Sequence, residues 1–416
     1  MAHIGFLTLD FMGHLYPMTS LALHLKGRGH RVTFFCLADS EAFISQAGLG
    51  CRVFAREGLP LGYAKKVSDE LGKMHGLRGV RYTLARFAGE MSAQLTELPE
   101  AIRAAEIDVL VIDQFFTSGS TIAEHLKLPY VHVANALLGN VDERLPPISF
   151  GWGNQSHLIA RMRNRAAHLF LRAIARPIRT RLNAQRATWG LPAYTEFLNE
   201  RFGTRPQISQ QPPGFEFPER ILPGAFHFVG PLHNHENRAA TPFPWEKIDG
   251  RPLIYASMGT LQNGLEWIFR RIAEGCAGLD AQLVLSLGGN MDPAQFSDVP
   301  GDPVIVKFAP QLELLKRASV SITHAGLNTA LESLAQGVPM VAIPITNDQP
   351  AVAARIAWTR TGLVLSRDNV RSDTLRASVI AVMSTPSYRE NARRLQAEIE
   401  SLNSLERASE IVESVL

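Results

Sequence analysis

Short apolar runs alternate with stretches whose apolar residues recur at helical spacing, and they do so in two separate blocks of the chain. In the first block, residues 3–9 read as a buried strand and 17–26 as a helix, which Gly29 ends before a strand over 31–36. Residues 108–113, 117–127 and 130–134 repeat the order strand, helix, strand. After residue 250 the rhythm returns, with strands predicted over 253–256, 282–287, 304–308, 320–323 and 340–343. Such alternation implies parallel sheets with crossover helices, so the fold class is α/β. At 416 residues the chain exceeds what one ordinary core organises, and two doubly wound domains follow. The polar, Pro-rich run over 233–250 reads as the linker between domains at 1–232 and 251–400.

Composition excludes several classes. Lys and Arg total 42 against 39 Asp and Glu, and a net charge of +3 is too balanced for nucleic acid as the main partner. Cys36, Cys51 and Cys276 are an odd, scattered set without a CxxC pair. They argue against a disulfide scaffold or a zinc site and fit a reducing, cytoplasmic compartment. The opening MAHIGFLTLD carries no leader pattern, and no stretch approaches the roughly 18 apolar residues of a membrane span.

In open parallel sheets ligands bind beyond the carboxyl ends of the strands. That rule selects the loops over 10–16, 113–118, 135–144, 257–264, 288–292, 308–311, 323–329 and 344–349. The densest chemistry lies in FAPQLELLKRASVSITHAGLNTALESLAQGVPMVAIPITNDQ, from Phe308 to Gln349. The strand ending at Thr323 turns through His324, Ala325 and Gly326 into a helix that starts near Leu327. Gly326 allows the tight turn and the close approach of a ligand. Free N–H groups at the helix start, with Asn328 and Thr329, make an anion site suited to a diphosphate, and His324 can add one hydrogen bond. Glu332 lies about one turn further along the same face, where its carboxylate can accept from both hydroxyls of a ribose. Asp348 and Gln349 open the next helix, near where the hydroxyls of a sugar would lie. Taken singly, each residue has a plainer explanation: the Gly as a turn, the Asn or Thr as a helix cap.

As a whole, the segment resembles the nucleotide-sugar signature of inverting glycosyltransferases of the plant secondary-product type, which have the GT-B fold. The resemblance implies two Rossmann-like domains facing across a cleft, with the C-terminal helix over 401–416 crossing back to the N-terminal domain. It places Phe308 against the uracil and Ala309 in backbone contact with it, and puts Gln311 and Glu332 on the ribose. His324, Gly326, Asn328 and Thr329 fall on the diphosphate, and Asp348 and Gln349 on the sugar. SMGT, ending at Thr260, resembles the phosphate loop of these enzymes, with Thr260 toward the distal phosphate. Two positions depart from the plant pattern: Phe308 and Leu327 each replace a Trp. Phe308 keeps the stacking with less area. The resemblance further implies a UDP-sugar as co-substrate, with no other cofactor and no metal.

His14 follows the first strand in FMGHLYPM, with Pro17 opening the helix behind it. Transfer to a hydroxyl needs one general base, and imidazole is matched to neutral pH. Asp113 ends the strand DVLVID, where a charge is costly without a partner. It can steady the imidazolium, or simply cap the helix near Thr117. The resemblance supports the pair His14 and Asp113.

VIDQFFTSGSTIAEHLKLPYVHVANAL, PQISQQPPGFEFPERILPGAFHFVGPL, YASMGTLQ, THAGLNTALES and DQPAVAARI are similar to bacterial zeaxanthin glucosyltransferases. This implies glucose transfer to a hydrophobic hydroxylated acceptor, carotenoid- or terpenoid-like; phenolic, polyketide and sterol acceptors are the alternatives. A UDP-sugar epimerase or a non-catalytic binder would share the fold. Residues 144–195 hold nine Arg and no acidic residue, with Leu158, Ile159, Met162, Phe170, Leu171 and Ile174 interleaved, and Pro177 is expected to break or kink the helix. This stretch is either an ordinary surface helix, its arginines answered by acids elsewhere, or a face for peripheral contact with anionic lipid. Residues 387–416 have the periodicity of one long terminal helix.

Overall fold

A computed structural model of the chain describes residues 1–233, 241–260, 264–289 and 291–416. Residues 234–240 of the predicted linker, 261–263 of the loop after residue 257, and residue 290 of the 288–292 loop therefore lie outside the described residues. The N-terminal half forms a parallel sheet of β1 (His3–Leu7), β2 (Arg31–Cys36), β3 (Gly50–Val53), β4 (Val109–Asp113), β5 (Tyr130–Ala134), β6 (Gln207–Ser209) and β7 (Phe226–Phe228). Its order is β3-β2-β1-β4-β5-β6-β7. The C-terminal half holds β8 (Leu253–Ser257), β9 (Gln282–Ser286), β10 (Val304–Val306), β11 (Ala318–Thr323), β12 (Met340–Ala342) and β13 (Gly362–Val364), ordered β10-β9-β8-β11-β12-β13. Both orders reverse between the first strand and the fourth, and the crevice at that reversal is where doubly wound sheets bind ligands. Residues at the ends of β1, β4, β8 and β11 are thus placed to meet.

The central strands are apolar on both faces because both are covered. In the first sheet Leu7, Phe35 and Ile112 face Met91, Leu98 and Ile102 of the helix Gly76–Arg103. Phe6, Phe34 and Val111 face Met18, Leu21 and Leu25 of the helix Met12–Gly27. Ala408, Ile411 and Val412 complete this second layer, so the end of the chain returns to the first domain. It does so as two helices, Pro386–Ser401 and Ser404–Glu413, not the single long one expected. Asn403 takes a left-handed conformation (φ 47°) between them. The first packs on the second domain, and the other on the first. At the crossing, Gly230 (φ 86°) has Ser404 Oγ where a side chain would begin, 2.5 Å from the position of a Cβ.

Two further helices differ from expectation. The first begins at Met12 rather than behind His14, so Pro17 lies inside it. The helix Leu158–Thr188 runs unbroken through Pro177.

Candidate active site

A cleft of about 1020 Å³ lies between the two sheets. It is lined by His14, Thr260, Phe308, Ala309, Gln311, His324, Gly326, Asn328, Thr329, Glu332, Asp348 and Gln349. Of the residues singled out from sequence, Asp113 alone does not line it; it lies behind His14, fully buried.

His14 occupies the first turn of its helix, and its Nδ1 is 2.6 Å from Asp113 Oδ2. A buried carboxylate only accepts, so Nδ1 carries the proton and Nε2 is left as the basic atom. Asp113 caps no helix. Its Oδ1 accepts from the Phe115 amide at 2.8 Å, and its Oδ2 also accepts from Asn135 Nδ2 at 2.6 Å. Asn135 Oδ1 in turn accepts from Gln210 Nε2, 3.1 Å away, which lies 3.5 Å from Asn328 Oδ1. Asn328 Nδ2 then donates to the Gly13 carbonyl at 2.5 Å. A chain of hydrogen bonds therefore leaves His14, crosses to the helix of the other domain and returns one residue before it. Pro17 explains its last link. A helical residue at that position would donate to the carbonyl of Gly13, but Pro has no N–H, so that oxygen is available to Asn328. Asn135 and Gln210 were not picked out from sequence, although both follow directly on strand ends.

Opposite His14, the chain turns from β11 into the helix Leu327–Ala335. The His324 ring is enclosed by two glycines: a Cβ on Gly259 (φ 74°) would sit 2.5 Å from it, and one on Gly326 would also collide. Burial pushes the His324 pKa down to about 4, against the opposing pull of the Ser257 backbone. The ring is thus neutral at neutral pH and can offer a single N–H. Thr260 is exposed at the end of the adjoining loop. Leu327 is buried among Leu331, Ala351 and Phe215 while still edging the cleft.

The end of the cleft around Phe308 and Glu332 is braced by its own side chains. Gln311 Nε2 donates to Glu332 Oε2 at 2.5 Å, and Gln311 Oε1 accepts from the Tyr255 hydroxyl at 2.9 Å. Phe308 has left β10, which ends at Val306 rather than at residue 308, and its half-exposed ring lies over Gly289. Asp348 Oδ2 accepts from the Leu137 amide of the first domain at 3.1 Å. Burial raises its carboxyl pKa, while that amide and the His14 charge act in the other direction. Gln349 Oε1 accepts from the Ile345 and Thr346 amides at 2.9 and 3.0 Å, so its oxygen holds the loop together instead of facing the cleft.

One stretch of the remaining wall is apolar, with Val80, Leu84, Phe87, Leu171, Ala175 and Ile178. Leu171, Ala175 and Ile178 come from the helix Leu158–Thr188. Its arginines are mostly engaged within the molecule: Arg165 and Arg172 with Glu143, Arg172 also with Glu196, and Arg186 with Glu124. Arg144, before the helix, pairs with Asp142, and Arg163 stacks on Trp152. Leu158, Ile159, Met162, Leu169 and Phe170 of the same helix are exposed. Among the described residues, no helix is long and apolar enough to cross a membrane.

Comparison with known proteins agrees with this architecture. The chain is 28% identical to a zeaxanthin glucosyltransferase of Pantoea ananas, covering 100% of this chain and 96% of that one. It is 26% identical to 4'-demethylrebeccamycin synthase of Lentzea aerocolonigenes, over 97% of each. Among solved structures, the calicheamicin glycosyltransferase CalG4 matches 100% of this chain and 98% of its own, with TM-score 0.76 and 24% identity. VinC, solved in complex with dTDP, covers 99% of both chains with TM-score 0.70 and 24% identity. These two show the shared GT-B fold. A profile of the family described as UDP-glucoronosyl and UDP-glucosyl transferase matches residues 90–415. The chain belongs to that family and is a glycosyltransferase.

Proposed function

We propose that the enzyme transfers glucose from UDP-glucose to a hydroxyl of a lipophilic, carotenoid- or terpenoid-like acceptor, with inversion at the anomeric carbon. The observation that carries this reading is the His14–Asp113 pair facing the His324–Thr329 turn across one cleft. His14 Nε2 takes the acceptor proton as the oxygen attacks the anomeric carbon, and Asp113 stabilises the imidazolium. The bond to the diphosphate breaks, and its charge develops at the amides that start the helix Leu327–Ala335, beside the His324 N–H. No metal is needed in this scheme. One displacement from the face opposite the leaving group inverts the configuration.

Glu332, buried and braced by Gln311, supports a ribose-bearing donor and hence UDP over dTDP. The apolar wall and the similarity to zeaxanthin glucosyltransferases support the acceptor class. The exposed apolar side chains of the helix Leu158–Thr188 extend that reading to peripheral contact with a membrane holding the acceptor. Mass spectrometry decides it, after incubation in chelator with UDP- or dTDP-glucose and a panel of terpenoid, carotenoid and phenolic alcohols. Glucosides of the lipophilic alcohols, formed faster from UDP-glucose, are expected. Equal use of both donors would remove the Glu332 assignment, metal dependence would remove the leaving-group scheme, and conversion of UDP-glucose without acceptor would indicate an epimerase.

A further inference from the structure

Buried arginine side chains of the described structure have a carboxylate beside them: Arg86 has Glu90, Arg186 has Glu124, and Arg220 and Arg355 share Glu216. Arg201 is the exception. It follows the short helix Phe197–Glu200, is 3% exposed, and lines the cleft. Among the described residues its guanidinium has no ion pair, and its Nε is buried without a hydrogen-bond partner. Its neighbours are aromatic faces: the guanidinium carbon lies 4.4, 5.4 and 5.9 Å from the ring centroids of Phe202, Phe197 and Phe115. Burial lowers its pKa to about 10, so it stays cationic at neutral pH. Aromatic faces offset only part of the cost of burying such a charge, and the nitrogens still need acceptors.

The position of this cation ties it to the reaction centre. Phe115, whose ring faces Arg201, donates its amide to Asp113, the partner of His14. Gly139 lies against the guanidinium, where a Cβ would stand 2.8 Å from Nη2, so the missing side chain is what lets the fork reach this place at the edge of the cleft. A planar fork with no ion pair among the described residues, at the edge of a cavity, matches the two oxygens of a carboxylate.

We propose that Arg201 binds a carboxylate of the acceptor, which is therefore an apolar hydroxylated molecule that also carries an acid group. This rests on the acceptor transfer proposed above and narrows its substrate class. The test uses ω-hydroxy fatty acids of graded length and a hydroxylated diterpene acid, each beside its methyl ester. With the native enzyme, kcat/KM for at least one acid should exceed that of its ester by tenfold or more, mostly through KM. In Arg201→Met the preference should vanish, and Arg201→Lys should restore part of it. The melting temperature of Arg201→Met should hold or rise, because an unpaired buried charge has been removed. Equal use of acid and ester by the native enzyme would overturn the proposal. So would a lowered melting temperature with an unchanged acid-to-ester ratio, which would make Arg201 structural. Weakened UDP binding in Arg201→Met would assign the charge to the donor instead. Acid-induced thermal shifts in the presence of UDP read binding without turnover. A shift abolished by Arg201→Met in a protein that glucosylates nothing would keep this site and overturn the transfer reading.

Discussion

Gly13 and Asn328 illustrate how much of this site is decided one atom at a time. A missing N–H at Pro17 leaves the Gly13 carbonyl open, and an amide from the other domain uses it. His14 and Asp113 were legible in the sequence because both stand at strand ends, where ligands bind, and the family resemblance pairs them; taken alone, Asp113 also read as a helix cap. Asn135 and Gln210 were not, since an amide after a strand looks like any turn residue until its partners are known. Arg201 gave no local signal at all; only tertiary packing removes it from water. If His14 is the base, His14→Ala should lower turnover by roughly 10²–10⁴-fold. UDP affinity should stay nearly unchanged, because the proposed donor site lies in the other domain. Asp113→Asn should also be impaired, and the double variant should lose far less than the product of the single losses. Turnover of the His14→Ala protein close to native with a weakly acidic alcohol would remove His14 from this role.

The long strands of both sheets were readable to within a residue or two, because a strand covered on both faces must be apolar throughout. Four short ones, Gly50–Val53, Gln207–Ser209, Phe226–Phe228 and Gly362–Val364, were not; three or four residues of mixed polarity carry no period. The helix Leu158–Thr188 shows the limit of charge patterning: Arg165, Arg172 and Arg186 are paired to acids far away in sequence, while Leu158, Ile159, Met162, Leu169 and Phe170 stay outside. If it meets a membrane, hydrophobic insertion should outweigh charge. Sedimentation with anionic liposomes should fall more for Ile159→Ser with Met162→Ser than for Arg161→Gln, and only modestly with added salt. Native protein that stays in the supernatant at low salt would leave this face without a membrane role.

At the scale of the whole molecule, the returning C-terminal helix is held by Glu413, which accepts from Arg28 (Nη2–Oε2 2.6 Å) and from His30 (3.0 Å). Its hydrogen bond with Arg28, then that with His30, holds the Glu413 pKa down at about 2, from an ordinary value of 4.5. A depressed carboxylate contributes fully above its unfolded pKa and loses its contribution as pH falls through the folded one. Stability from this clamp should therefore fade between pH 4.5 and 2. Chemical denaturation should show a shallower decline over that window in Glu413→Gln; an identical decline would place the clamp elsewhere. Closer to the domain junction, Arg355 Nη2 meets Glu216 Oε1 at 2.5 Å, with both side chains buried. Pulling such a pair apart costs about 3–5 kcal/mol, whereas one hydrogen bond such as that from Asn328 to Gly13 is worth about 1 kcal/mol. From these strengths the two halves are expected to move as a jaw, with the ion pair as the axle and the Gly13 rim as the lip that parts to admit a ligand. Spin labels flanking the lip should draw apart when UDP is removed, while a pair beside Glu216 keeps its spacing; uniform separation at both places would mean that the jaw has no fixed axle.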